Sequence, residues 1–372
     1  MSTLHSPGNT VIVVEEDRVL RLVQVILDPS TSAERVAAFA DYNSTDLADF
    51  SGWLESLRTR IDGTWPATVH LVNSQEELQQ QLPAADVVIV ESLEIGTTEL
   101  ALAPRLNVVH NFGTLADNVD AAACAARGIP LLTLRRRTNI AMGEHVMMLL
   151  LTLARRLPLI NGLVTKDRMA AAGYPHRPYD NRHTASANFG RIPDLRTLNG
   201  LTLGLLGFGE IGREIAALAR AFGMTVYYHK RTRLAADEEQ ALGVAYCDFH
   251  ELFERSEFVS VHVPSSPKTR GLVDAAALAR LRPGAYLVNT ARAEIVDHDA
   301  LVAALRSGAL AGAAFDVLYG EPTAEDEALL GFDNVILTPH MGGASRMNGL
   351  IDAETMLLDI HAARAASGRR PA

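Results

Sequence analysis

The sequence predicts an α/β protein of two domains, and three observations carry that expectation. At 372 residues the chain is long for one hydrophobic core and comfortable for two. Short apolar runs alternate with helical patterns from near its start, as strands connected by helices would require. A glycine-rich turn, Gly207-Phe208-Gly209-Glu210-Ile211-Gly212, stands between a strand-like run and an amphipathic helix.

In the first domain, Leu22 to Leu27, Val69 to Val72, Val87 to Val90 and Asn107 to His110 are expected as successive strands. Ala33 to Arg60 carries two helix-like segments, with Asp46 as an N-cap. The composition shifts at Arg135-Arg136-Arg137, and a long helix is expected from Ile140 to Lys166. Gly173 to Asn199, rich in Pro, Asn, Arg and His, has no clear period; a structureless stretch of this length is either a functional loop or a packing arm. The second domain runs through the glycine turn to a last strand at Val335 to Leu337, and Gly342 to Arg364 forms a helix that returns to the first domain. Two crossings between domains, with a cleft between them, follow from that order. The expected boundaries are 1–137 plus 341–372 for one domain and 138–340 for the other.

Composition narrows the functions. Hydrophobic residues make up 48% of the chain and charged residues 21%, which suits a packed globular protein. A net charge of −10 argues against nucleic-acid binding, which needs a cationic footprint. Cys124 and Cys247 are too far apart in sequence for a CxxC site and suggest no disulfide framework. Met1 to Thr10 is polar and lacks a basic n-region, so no signal peptide is expected. The apolar run around Leu149, Leu150 and Leu151 stops at Arg155 and Arg156, short of a bilayer span. These observations place the protein in the cytoplasm, away from membranes.

The glycine turn has the context of a dinucleotide site. Leu201 to Leu206 leads in as a strand, and Ile211, Ile215, Leu218, Ala219 and Phe222 form an apolar helical stripe behind it. Gly207 permits the tight turn, Gly209 lets backbone approach a pyrophosphate, and Gly212 allows close packing of helix on sheet. The helix N-terminus attracts the phosphate charge. After the next strand, Thr225 to Tyr228, an acid is expected if the cofactor is NAD; His229-Lys230-Arg231-Thr232-Arg233 stands there instead. Lys230 and Arg231 favour a 2′-phosphate, hence NADP(H), with NAD(H) possible if the run is a solvated loop.

Three residues further on form a reacting set. Reduction of a 2-oxo acid needs a cation for its carboxylate and a proton donor for its carbonyl. Arg292 supplies a planar fork, and His340 a proton at working pH. Glu321, if it reaches the other ring nitrogen, holds the tautomer.

From about Arg105 to Ser345 the chain resembles the D-isomer-specific 2-hydroxyacid dehydrogenases. The matching residues are Asp117-Asn118-Val119-Asp120, Arg127-Gly128-Ile129-Pro130, Glu144-His145, Gly207 to Gly212, Val261-His262-Val263-Pro264, Asn289 to Asp297, Ala314-Phe315-Asp316-Val317 with Glu321-Pro322, and Thr338-Pro339-His340. The resemblance implies two Rossmann-like domains, a flavodoxin-like substrate domain with an inserted dinucleotide-binding domain, whose long first helix builds a homodimer. It implies that Arg292 binds substrate, that His340 is the acid/base and that Glu321 supports it. It further implies that Asp316 meets the nicotinamide carboxamide and that Val263, Pro264, Thr269, Thr290 and Ala291 line the cofactor cleft. Backbone N–H groups of Phe112, Gly113, Thr114 and Leu115 would bind the substrate carboxylate.

The sequence departs from the family at Leu115, where a second Gly is usual, at Ala293-Glu294 after the Arg, and at Leu318-Tyr319. Arg137, at the crossing between domains, is a candidate for a second anionic or polar group on the substrate; the alternative is a hinge cluster paired with nearby acids. His176, Asp180 and His183 match no defined metal site, and no metal is expected. The leading expectation is an NADPH-linked reductase of a small 2-oxo acid, of the glyoxylate or hydroxypyruvate type. Its rivals are an NAD-linked dehydrogenase of another D-2-hydroxy acid, such as phosphoglycerate, and a non-catalytic NAD(H)-sensing binding protein.

Overall fold

The structure is a computed structural model that describes residues 10–366. The polar opening stretch Met1 to Asn9 therefore lies outside the described residues. The chain divides into two compact units, Met1–Ile140 with Gly343–Ala372, and Ala141–Gly342.

In the first unit a five-stranded sheet is built from β1 (Thr10–Glu15), β2 (Ala67–Val72), β3 (Val87–Val90), β4 (Val108–Asn111) and β5 (Leu131–Thr133). Every pairing is parallel and the order is β2-β1-β3-β4-β5, the flavodoxin-like arrangement. β3 and β4 are buried along their whole length, as expected of central strands covered on both faces. One face packs on Leu22, Val23, Ile26 and Leu350, Met356, Leu357 and Ile360; the other on Leu78, Leu82, Leu100 and Cys124.

Two expectations for this unit are corrected. Leu22 to Leu27 belongs to a helix, Arg21–Leu27, and the first strand is the β-branched run Thr10–Glu15. Five of that helix's seven residues are buried, so its apolar run carried no two-residue alternation to separate helix from strand. Asp46 caps neither helix. Ser32 caps Ala33–Asn43 by accepting from Arg35 N at 3.2 Å, and Asp49 caps Phe50–Arg60 by accepting from Gly52 N at 2.8 Å. Asp46 Oδ2 accepts from Arg346 N at 3.1 Å instead.

The second unit holds seven parallel strands: β6 (Thr202–Leu206), β7 (Thr225–His229), β8 (Ala245–Tyr246), β9 (Phe258–Val261), β10 (Ala285–Asn289), β11 (Leu310–Phe315) and β12 (Val335–Leu337). Their order is β12-β11-β10-β9-β6-β7-β8, a doubly wound sheet whose direction of winding reverses between β6 and β9. Helices cover both faces, over cores that include Phe208, Ile215 and Tyr228 on one side and Leu252, Phe253 and Phe315 on the other.

The long helix is shorter than expected, Arg137–Arg155 rather than Ile140 to Lys166. Arg156 adopts a left-handed backbone (φ 51°), and Pro158 follows within the short helix Leu157–Ile160. Residues 172–201 contain no helix or strand. Arg196 ties the end of this stretch down: its N–H donates to Ala154 O (2.8 Å), its Nη1 to Gly284 O (3.1 Å), and its guanidinium lies 5.6 Å from the Tyr286 ring centre. Asp180 in this stretch pairs with Arg182 at 3.0 Å. Among the described residues, no group of three or more His, Cys, Asp or Glu could hold a metal ion, and no helix is long and apolar enough to cross a membrane.

Candidate active site

In a parallel doubly wound sheet the loops that can act on a ligand lie beyond the carboxyl ends of the strands. The second unit places its candidate residues there. Gly207 follows β6, Lys230 follows β7, His262 follows β9, Arg292 comes three residues after β10, Asp316 follows β11 and His340 comes three residues after β12.

The glycine turn is shaped by close approach. Gly207 has φ +97°, and a Cβ there would lie 2.5 Å from the carbonyl of His262 and 2.8 Å from the N of Val263, so only glycine fits. Gly209 caps the Glu210–Ala221 helix with no side chain of its own, is exposed, and has nothing within 4 Å of the place its Cβ would take. Space beside a helix N-terminus is what a bound phosphate needs. A Cβ at Gly212 would come within 3.2 Å of Gly207 O, so glycine here allows the helix to stay close to the turn. Phe208 is buried with its ring 4.5 Å from that of Tyr228, so it packs the core, whereas Glu210 and Ile211 are half-buried.

Beyond β7 the basic run splits in two. Arg233 is bound to Glu239 by Nε (2.9 Å) and Nη2 (2.8 Å), and Glu239 also accepts from the Tyr228 hydroxyl at 2.7 Å. Arg233 first, then Tyr228, holds the Glu239 carboxyl below its usual range. Lys230 is half-buried, Arg231 and Thr232 are exposed, and neither cation makes an ion pair among the described residues.

Beyond β9, burial pushes His262 down to about 3, so it is a neutral ring, in contact with Ser260 Oγ through Nε2 at 2.7 Å. Val263 and Pro264 open the next loop. Thr269 closes that loop by donating to Pro264 O (2.7 Å) and accepting from Ser266 N (2.9 Å).

After β10 the fully buried Asn289 shapes the turn: its Nδ2 donates to Arg292 O (2.9 Å), and its Oδ1 accepts from Ala291 N (3.0 Å). Thr290 Oγ1 is buried without a partner among the described residues. A buried hydroxyl in that condition costs free energy unless something bonds to it. Arg292 is exposed, with Nη1 2.6 Å from Ala291 O. Glu294 accepts from Ser265 Oγ at 2.6 Å and so joins this turn to the loop after β9.

His340 Nδ1 lies 2.8 Å from Glu321 Oε2. His340 first, and then the Leu318 N–H at 3.0 Å and the charge of Arg292, hold the Glu321 carboxyl below its usual range against some desolvation. Glu321 is therefore the acceptor, and His340 Nδ1 carries the hydrogen. That leaves His340 Nε2 as the atom that can give or take a proton. His340 also has φ +53°, which costs a non-glycine residue on the order of 1 kcal/mol.

Asp316 is fully buried. Its Oδ1 accepts from Thr338 Oγ1 (2.5 Å) and Met341 N (2.9 Å) and lies 3.3 Å from His145 Nε2; its Oδ2 accepts from Gly342 N (2.7 Å). Burial alone would raise its carboxyl, but these partners outweigh burial and leave it low. In this structure the Asp316 carboxylate is thus engaged by four partners of its own chain. His145 and Thr338 received no role from the sequence. Both stand in motifs of the sequence, Glu144-His145 and Thr338-Pro339-His340, but the carboxylate that joins them is brought to them only by the fold.

In the first unit, Phe112 N–H donates to Val90 O (2.7 Å) and Gly113 N–H to Asn111 O (2.8 Å), so both amides already have backbone partners. Thr114 is exposed and Leu115 half-buried, with Leu115 O accepting from Asn111 Nδ2 at 3.1 Å. Of the arginine triplet, Arg136 touches this loop. Its guanidinium lies 5.0 Å from the Phe112 ring centre, and Nη1 is 2.7 Å from Glu91 Oε1. Arg137 is exposed; its backbone N–H, not its side chain, is held, by Asp352 at 2.8 Å.

The chain is similar to known proteins in sequence and in fold. A family model described as D-isomer specific 2-hydroxyacid dehydrogenase, NAD binding domain, matches residues 147–342. The chain is 34% identical over 275 residues to D-3-phosphoglycerate dehydrogenase of Rattus norvegicus, covering 73% of this chain and 48% of that one. It is also 34% identical over 244 residues to glyoxylate reductase of Thermococcus litoralis, covering 65% of this chain and 69% of that one. The chain spans about half the length of the first phosphoglycerate dehydrogenases it matches. Among solved structures it resembles the TT0316 protein from Thermus thermophilus, at 28% identity and a TM-score of 0.51, covering 97% of this chain and 98% of that one. With the family model matching over half of its residues, from the helix before the glycine turn through His340, the chain belongs to the D-isomer specific 2-hydroxyacid dehydrogenase family.

Proposed function

We propose that the chain is an NAD(P)(H)-dependent D-2-hydroxyacid dehydrogenase working as an NADPH-linked reductase of a small 2-oxo acid, of the glyoxylate or hydroxypyruvate type. The observation that carries this reading is the 2.8 Å contact between His340 Nδ1 and Glu321, in the same unit as the exposed fork of Arg292. His340 Nε2 delivers a proton to the carbonyl oxygen as it gains charge, and Glu321 steadies the imidazolium beforehand. Arg292 binds the substrate carboxylate through two parallel N–H bonds and draws electron density from the carbonyl.

The glycine turn fits a dinucleotide. The open space at Gly209, the helix N-terminus behind it and the unpartnered hydroxyl of Thr290 are features such a ligand would use. Gly207 to Gly212, Val263, Pro264, Thr269, Thr290 and Ala291 would hold it, with Lys230, Arg231 and Thr232 beside the adenosine ribose. When bound, the dinucleotide supplies the hydride. The two basic side chains without ion pairs among the described residues are the support for NADP(H) over NAD(H).

In the same reading residues 138–340 are the cofactor domain, while 1–137 with 341–372 form the substrate domain. There the Phe112 to Leu115 loop meets the carboxylate, and Arg137 a further polar group. Two free, buried cysteines suit a reducing cytoplasm, and the family resemblance is the ground for a homodimer.

A second reading is an NAD-linked dehydrogenase of phosphoglycerate, favoured by the phosphoglycerate dehydrogenases among its relatives. Steady-state rates with NADH and NADPH against glyoxylate, hydroxypyruvate, phosphohydroxypyruvate and a dicarboxylic 2-oxo acid separate the two. The highest kcat/KM is expected for NADPH with glyoxylate or hydroxypyruvate. A preference for NADH with the phosphorylated acid would put the second reading in its place, and no turnover with any 2-oxo acid would reject both.

A further inference from the structure

Four donors converge on the Asp316 carboxylate, and three of them belong to the short segment that carries His340: Thr338 Oγ1, Met341 N and Gly342 N. They grip that segment on both sides of His340, whose own N–H turns back to Thr338 O at 2.9 Å. The fourth contact is His145 Nε2, from the Arg137–Arg155 helix, which also lies 3.4 Å from Thr338 Oγ1. His145 is itself buried, with 7% of its side chain exposed. The arrangement exceeds what anchoring a helix requires, since a plain anchor would not draw in a hydroxyl before and two amides after a left-handed histidine. From it we infer that His145, Asp316 and Thr338 are positioning residues for His340, holding its ring where Nδ1 meets Glu321.

The physical reason is strain and charge together. A left-handed His340 relaxes unless its neighbours over-determine it. Asp316 does so only while ionised, because a protonated carboxyl could not accept all four contacts. Its burial opposes that charge, and among the described residues His145 is the side chain from outside the loop that answers it. Removing His145 therefore loosens the loop without touching the reacting groups. Around His340 and Asp316 the titratable or charged groups are Glu321, Arg292 and His145, and the first two are left unchanged by the test.

The inference rests on His340 being the acid/base of the reading above. The test compares His145→Leu, His145→Gln and Thr338→Val with the wild-type full chain. Gln sets an amide nitrogen near the place of the imidazole Nε2 and keeps a donor to Asp316. Misplacing a proton donor by about 1 Å costs on the order of 100-fold in rate. His145→Leu and Thr338→Val are therefore expected to lose roughly 10- to 100-fold in kcat, with KM for the 2-oxo acid and Kd for the dinucleotide within about threefold of wild type. His145→Gln should regain most of the loss. Long-range ¹H–¹⁵N spectra of the His340 ring give a second readout, since the Nδ1–H tautomer should be diluted in His145→Leu and restored in His145→Gln.

If the wild type turns over no 2-oxo acid, the functional reading fails, and the ring spectra alone decide the positioning. Should His145→Leu not fold, Thr338→Val and His145→Gln carry the comparison. The inference is overturned if folded His145→Leu and Thr338→Val keep wild-type kcat and tautomer. It is equally overturned if Gln performs no better than Leu while the tautomer stays unchanged, since the role would then be structural alone.

Discussion

Arg292 sits on a turn that holds its backbone and leaves its guanidinium exposed, with Nη1 on Ala291 O. Asn289 fixes the carbonyl of Arg292 at 2.9 Å and the amide of Ala291 at 3.0 Å, while the guanidinium stays exposed. A fixed stem with an accessible planar head suits a bidentate carboxylate contact. Lysine would keep the charge and lose the second parallel bond. Arg292→Lys is thus expected to lower kcat/KM by about 100-fold, much of it in KM, without changing the melting temperature by more than about 2 °C. Kinetics that match the wild type would remove Arg292 from substrate binding. Arg292, Glu321 and His340, the trio proposed to react, could be picked out of the sequence because each member stands in a short motif near a strand end. His145 could not, because its meaning depends on a buried carboxylate that only the tertiary fold brings to it. Arg136 was missed for a related reason. The triplet was visible, but which of its members touches Phe112 depends on how the chain leaves β5.

At the scale of elements, the glycine turn and the end of β7 decide what the second unit can hold. Gly207 fills a position where any Cβ would meet the backbone after β9 at 2.5 Å with φ at +97°. Backbone cannot yield as a flexible side chain does, so Gly207→Ala is expected to cost on the order of 2–4 kcal/mol. Urea unfolding would measure it, and a loss under about 1 kcal/mol would show that the turn can relax. At β7 the expected outcome concerns selectivity. Lys230→Asp brings a carboxylate that repels a 2′-phosphate and accepts from a ribose hydroxyl, so the ratio of kcat/KM for NADPH over NADH should fall by about 10- to 100-fold. An unchanged ratio would mean that Lys230 faces only solvent. These two elements were open to sequence reasoning because glycine spacing and charge at a strand end have direct physical meaning. The Arg21–Leu27 helix was not, since a short run with five of its seven residues apolar and buried satisfies either geometry. Residues 172–201 likewise offered no period, and their anchoring through Arg196 is a set of long-range bonds without a local signature.

For the whole molecule, acid should act on stability in two stages, and a buried histidine sets the first. His110 on β4 is fully buried, neither ring nitrogen has a hydrogen-bond partner among the described residues, and burial pushes it down to about 4. Its folded form is neutral, while the unfolded chain takes up a proton near the ordinary histidine value of about 6.5. Stability from this group is therefore whole above that value and drains as pH falls from about 6.5 towards 4. Glu15, Asp28 and Glu99 in the first unit, and Asp316 and Glu327 in the second, have carboxyls below their usual range, so their contributions are lost only at lower pH. Glu91 and Asp352 are raised, chiefly by burial, and work in the opposite sense: their strain is relieved as acid protonates them. Because these terms overlap, the histidine must be isolated by substitution. Integrating the His110 shift predicts that about 2 kcal/mol of stability is lost between pH 7 and pH 5 through this residue alone. His110→Phe keeps a flat ring of similar size and removes the titration, so its stability should fall by about 2 kcal/mol less than that of the wild type over the same interval. Urea unfolding at the two pH values, followed by circular dichroism, measures the difference. Equal losses in both proteins would show that His110 finds a partner or water when the unit breathes, and would pass the early acid sensitivity to His262, another histidine held low by burial.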